Sequence, residues 1–125
     1  MTKRQQKKAF ALAQIGPYIK DNTLCGYDSH EGCQYVTPEG KMCVAGKNML
    51  RPGLFGDEAI YQILSRKTQK EIFRPEAVGI LTAPQWKQLQ FMHDETAKGE
   101  PIERYVKNLN LFTMDELNEY SNSLT

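Results

Sequence analysis

The sequence predicts a mostly α (α+β) fold, with about five helices packed around one β-hairpin in a single compact domain, residues 1–125. Three observations predict it. Polar capping signals precede apolar stripes of helical period, a proline–glycine turn separates two short stretches of strand-like residues, and the composition is globular. At 40% hydrophobic and 25% charged residues, 125 residues bury one continuous core without staples. No repeat, low-complexity tract or linker divides the chain.

The first helix is expected from about Lys3 toward Ile15, with Ala9, Leu12 and Ala13 on a small apolar face and Phe10 nearby. Gly16-Pro17 should end or kink it. Its basic first turn faces the positive end of the helix dipole, so fraying is expected there. Residues 21–32 are polar and glycine-containing and read as a loop. Cys33-Gln34-Tyr35-Val36 and Lys41-Met42-Cys43-Val44 then flank Thr37-Pro38-Glu39-Gly40. Proline at the second turn position and glycine at the fourth give a type I turn with a glycine bulge, Gly40 being left-handed. In that register Tyr35 opposes Cys43 and Val36 opposes Met42. A short helix over 45–50 follows, ended by Arg51-Pro52-Gly53.

Asp57 is the expected cap of a helix carrying Ile60, Ile63 and Leu64. Thr68 with Glu71 forms a weak capping box before Pro75. Thr82-Ala83-Pro84-Gln85 forms a better one, opening a helix with Trp86, Leu89, Gln90, His93 and Ala97 on one face and Gly99 at its end. Pro101 restarts the chain as a helix with Ile102, Tyr105, Val106 and Leu109 inward. Thr113 and Glu116 box a last helix bearing Leu117 and Tyr120. The helix with Trp86, Leu89 and His93 should pack across the hairpin and the Cys43–Gly46 junction, with Trp86 buried.

Charge and cysteine usage exclude several classes. The net charge is +1, but Lys3, Arg4, Lys7, Lys8 and Lys20 give the first twenty residues five cations and no acid, leaving eleven basic against fifteen acidic residues. A solvated helix face or the steering of an anionic partner both fit this asymmetry. No apolar run approaches the roughly 20 residues that a bilayer needs. The basic start resembles a signal peptide, but Gln14 and Gly16-Pro17 cut its apolar stretch short. Three cysteines suit a reducing compartment, so a cytoplasmic protein is expected.

Tyr35, Pro38, Gly40, Cys43-Val44-Ala45-Gly46, and Trp86-x-x-Leu89-Gln90-x-x-His93-Asp94 resemble a family of small uncharacterised bacteriophage and bacterial proteins. Its members share a proline-x-glycine turn, a Cys-Ala-Val-Gly junction and a later helix ending in Leu-Gln-x-x-His-Asp. The likeness covers roughly residues 33–97. This chain departs in having Cys-Val-Ala-Gly and a longer segment before the histidine helix. The resemblance implies a phage or prophage-type origin and a shared fold, and no reaction.

Two constellations bear on chemistry. Cys43 at a helix start, with His93 and Asp94 elsewhere in the chain, has the elements of an activated thiol. Adjacent helical residues point about 100° apart, so Asp94 is expected to be a poor orienter of His93. The competing reading is a buried, inert Cys43 and an inward His93 that hydrogen-bonds a backbone carbonyl. Cys25, His30, Cys33 and Cys43 number enough for tetrahedral zinc but lack a C-x2-C knuckle, and no metal or cofactor is expected. Gly53-x-x-Gly56 lacks the strand and lysine of a phosphate loop. Asp28, Glu31, Asp57 and Glu58 form no paired-carboxylate pattern.

The leading expectation is a small phage-type, non-enzymatic binding protein that engages a host protein or small ligand, an inhibitor of a host defence system or host enzyme among the options. Tyr35, Cys43, Trp86, Gln90, His93 and Asp94 are the candidate binding residues. The alternatives are a cysteine-dependent hydrolase or transferase using Cys43 and His93, and a nucleic-acid binder using the basic first helix. The last is disfavoured because aromatics are not interleaved with its cations apart from Phe10 and Tyr18, and the body is acidic.

Overall fold

In the computed structural model, residues 1–28 and 32–124 are described, the side chain of Asp28 excepted. Six helices dominate them: α1 (Lys3–Lys20), α2 (Ile60–Leu64), α3 (Gln69–Ile72), α4 (Ala83–Lys98), α5 (Glu103–Leu109) and α6 (Met114–Ser123). One antiparallel pair, β1 (Tyr27–Asp28) and β2 (Gly32–Cys33), joins them, with Tyr27 opposite Cys33. The mostly helical fold with one small hairpin is therefore as expected. No helix among the described residues is long and apolar enough to cross a membrane.

Local chemistry sets most boundaries. Capping boxes open α3 at Thr68–Glu71, α4 at Thr82–Gln85 and α6 at Thr113–Glu116. Gly99, at φ 76°, closes α4 in the left-handed conformation. A further box, Thr2 with Gln5, opens α1 and meets its orphan N–H groups where no acid is available.

Four expectations need correction. Helix α1 runs through Gly16-Pro17 to Lys20. Packing overrides the breaker: α1 lies against α6, and a Cβ at Gly16 would stand 2.4 Å from the Tyr120 ring. The helix continues because its buried residues Ile15 and Tyr18 lie on both sides of the break. The hairpin is also displaced. Gly40 is left-handed at φ 86°, and Thr37 donates to Lys41 O at 2.7 Å, so the turn is the expected one. Its two arms do not form a ladder, however. Gln34 N–H is already given to Gly26 O at 2.8 Å, and Gly26 is wedged between Gln34 and Met42–Cys43, where a Cβ would lie within 2.7 Å of all three. Each backbone N–H can be used once, and the glycine lets a third segment take the place of the expected partner. The junction helix at 45–50 shrinks to one 3-10 turn, Gly46–Asn48. Helix α2 is preceded by Ala59, with no side-chain cap, instead of by Asp57.

The core joins residues from Ala11 to Leu117. Trp86 is its largest member, fully buried, stacked on Phe73 at 4.4 Å and met edge-on by Phe10 at 5.8 Å. Helix α4 runs through the middle, touching α1, α2 and α5. This places its other faces against the 25–46 region, where the candidate site lies.

Candidate functional site

Side chains recur on α4 every third or fourth residue, so it carries two stripes. One, Trp86, Leu89 and His93, is wholly buried. The other, Lys87, Gln90, Phe91 and Asp94, borders a cleft of about 280 Å³. The opposite wall is Asp57 to Tyr61, entering α2, and the third side is Cys33 and Tyr35. Tyr35 is held there because its hydroxyl donates to Glu58 O. Behind it the two backbones are in close approach: a Cβ at Gly46 would lie 1.9 Å from Tyr35 O.

His93 is locked at both ring nitrogens. Nε2 accepts the Gly26 N–H at 3.0 Å, which leaves Nδ1 to carry the proton and donate to Asp94 Oδ1 at 2.9 Å. The edge of Tyr18 abuts the ring, with centroids 4.9 Å apart. Two expectations are thereby corrected. His93 bonds a backbone amide, not a carbonyl. Asp94 does orient it, since the turn of about 100° separates the Cβ atoms while the side-chain ends still converge. The consequence for chemistry is direct. With its only lone pair given to Gly26, His93 has nothing left with which to take a proton from a thiol.

The same lock bears on metal binding. Cys33, His93 and Asp94 bring one ligand atom each within 4.8 Å of one another. An Nδ1-bound metal would put the neutral ring's proton on Nε2, facing the Gly26 N–H donor. The arrangement does not fit a metal without breaking that bond. Of the four residues with zinc-like count, His30 lies outside the described residues, and Cys25 turns away, its thiol donating to His93 O at 3.9 Å.

The remaining thiols are brought together. Cys43 is fully buried and Cys33 partly exposed at the cleft floor. Gln90 is fixed by accepting Ala45 N–H at 2.9 Å, and its Nε2 lies 3.3 Å from Cys43 Sγ and 3.5 Å from Cys33 Sγ. Gly46 N–H adds a donor to Cys43 at 3.4 Å. Burial pushes the Cys43 thiol up, but the Cys33 S–H, Gly46 N–H and Gln90 amide outweigh it, and its net displacement is downward. The Cys33 thiol is pushed up, first by its interaction with Cys43 and then by burial. Burial pushes the Cys25 thiol up to about 11.

Of the six candidate binding residues, Tyr35, Gln90 and Asp94 line the cleft, while Cys43 and His93 lie beneath it and Trp86 belongs to the core. The sequence reading assigned no binding role to Cys33, Tyr61, Lys87 or Phe91. The i, i+3, i+4, i+7 spacing of Lys87, Gln90, Phe91 and Asp94 was the available signal. Fold and site together define a small helical protein with a cleft of mixed aromatic and acidic character, floored by the partly exposed Cys33 with Cys43 buried beneath it. No protein-family model, curated protein or solved structure matches the chain.

Proposed function

We propose that this is a non-enzymatic binding protein that seats one side chain or a small ligand group in the cleft between α2 and α4. The observation that carries the reading is the pair of aromatics at the cleft mouth: Tyr61 is 48% exposed and Phe91 37%. Exposed rings beside a polar-floored cavity are the usual anchors of recognition sites. Lys87 lies over both rings, 5.0 and 5.6 Å from their centroids. The cleft's volume of about 280 Å³ suits a side chain or small metabolite better than a large cofactor. The phage-type resemblance adds a partner class, a host protein met in the host cytoplasm, and a role, inhibition of a host defence system or host enzyme.

Neither alternative draws comparable support. A hydrolase built on Cys43 and His93 lacks both an exposed nucleophile and a free lone pair on the base. Binding of nucleic acid by α1 competes with its own chain: Arg4 donates to Asn110 O, Lys7 to Gln85 and Lys8 pairs with Glu116.

The test is a Tyr61→Ser, Phe91→Ser double variant. It should stay folded with a loss of no more than about 3 kcal/mol, most of it from Phe91, whose ring packs 5.3 Å from that of Tyr105. The protein or metabolite that co-purifies with wild type from its host should bind the variant at least about 30-fold more weakly, the worth of one anchor residue. Equal affinity in a folded variant refutes the cleft as the site.

A further inference from the structure

We propose that Cys33 and Cys43 are a dithiol–disulfide couple, with Cys33 the entry sulfur for a low-molecular-weight disulfide arriving through the cleft and Cys43 the resolving sulfur beneath it. Three features of the geometry support this. One amide nitrogen, Gln90 Nε2, reaches both sulfurs, 3.5 Å from Cys33 Sγ and 3.3 Å from Cys43 Sγ, so the two thiols share a single donor. Only Cys33 opens to the cleft, while Cys43 is sealed below it. Gln90 and Gly46 place two N–H donors on Cys43, in position to hold negative charge on the resolving sulfur.

The exchange balances as follows. Cys33 gives its proton to water, and its thiolate attacks one sulfur of a glutathione-type disulfide. The incoming S–S bond breaks, a mixed disulfide forms on Cys33, and the first leaving thiolate takes a proton from water. Cys43 then gives up its proton and attacks the Cys33 sulfur. The mixed disulfide breaks, the Cys33–Cys43 bond forms, and the second leaving thiolate takes up the released proton. Two protein thiols are oxidised and one external disulfide is reduced to two thiols. Cys25 takes no part, because it is buried and its thiol is turned to His93 O.

The test uses the native full chain equilibrated with oxidised glutathione, quenched in acid, alkylated and mapped by mass spectrometry. The expected product is a Cys33–Cys43 crosslink with two glutathione thiols released per chain and Cys25 still alkylated. Cys43→Ser should stop at glutathionylated Cys33, and Cys33→Ser should leave Cys43 unmodified. Gln90→Glu keeps the acceptor for Ala45 but replaces the donor to sulfur with a negative charge. It should slow the closing step at least about tenfold, the worth of one hydrogen bond to an anion. The proposal is overturned by a mixed disulfide on Cys33 that persists in wild type, by a disulfide that includes Cys25, or by three free thiols under conditions that oxidise the urea-unfolded chain.

Discussion

Trp86 gives the sharpest test of the packing. It is fully buried against Phe73 and Phe10, yet its indole Nε1–H has no hydrogen-bond partner among the described residues. Two substitutions separate these properties. Trp86→Ala removes the ring and leaves a cavity, at a cost of about 3–5 kcal/mol. Trp86→Phe keeps a ring to stack on Phe73 and deletes the orphan donor. The lost ring volume costs about 1–2 kcal/mol, and relief of a buried unpaired N–H returns about 1–3 kcal/mol. The net change for phenylalanine is therefore expected to lie between a loss of about 1 kcal/mol and a gain of about 2 kcal/mol. Urea melts followed by far-ultraviolet circular dichroism are the suitable assay, because both variants lack the chain's one tryptophan. A loss above about 2.5 kcal/mol for Trp86→Phe refutes the reasoning, since the N–H would then be contributing a bond. A loss under about 1 kcal/mol for Trp86→Ala refutes the burial itself.

Three further outcomes follow from close contacts and burial. Gly46→Ala places a Cβ 1.9 Å from a backbone oxygen that cannot yield, so thermal melts should show a loss above about 3 kcal/mol or no cooperative transition. Gly16→Ala should cost about 1–3 kcal/mol in wild type through overpacking on Tyr120. In a Tyr120→Ala background the same change should become neutral or favourable by up to about 1 kcal/mol, the helix preference for alanine, and a cost that persists there would contradict the α1–α6 packing. Lys47, chiefly because of burial, titrates near 8 in the folded chain against 10.5 ordinarily. Between those values the unfolded chain binds more protons, so wild type should gain stability relative to Lys47→Met as pH rises from 8 to 10.5. Below pH 8 the difference should be flat, and paired melts across this range check both limbs.

The parts of the fold legible in the sequence are those whose causes lie within a few residues. The boxes at Thr68, Thr82 and Thr113 join a hydroxyl to the backbone three positions on, and the Pro38–Gly40 turn needs only preset dihedrals. The buried stripe of Trp86, Leu89 and His93 was equally plain, because an apolar period reports the face that leaves water. The candidate site was half legible. Tyr35, Gln90 and Asp94 stood in recognisable patterns and the helical spacing of Lys87 and Phe91 put them on the Gln90–Asp94 stripe, whereas Tyr61 is an ordinary surface residue until α2 and α4 face one another.

What the sequence by itself determined is therefore the helical class, the turn at 37–40 and the inward face of α4, all consequences of local dihedral and periodicity rules. Only the tertiary structure decided that α1 continues past Gly16-Pro17, that Gly26 displaces the expected hairpin ladder, and that the lone pair of His93 goes to Gly26 while the sulfurs of Cys33 and Cys43 meet under Gln90. These outcomes share a physical reason. Each is a competition for one hydrogen bond or one packing volume between groups distant in the chain, and local sequence records the competitors without the distance that chooses between them.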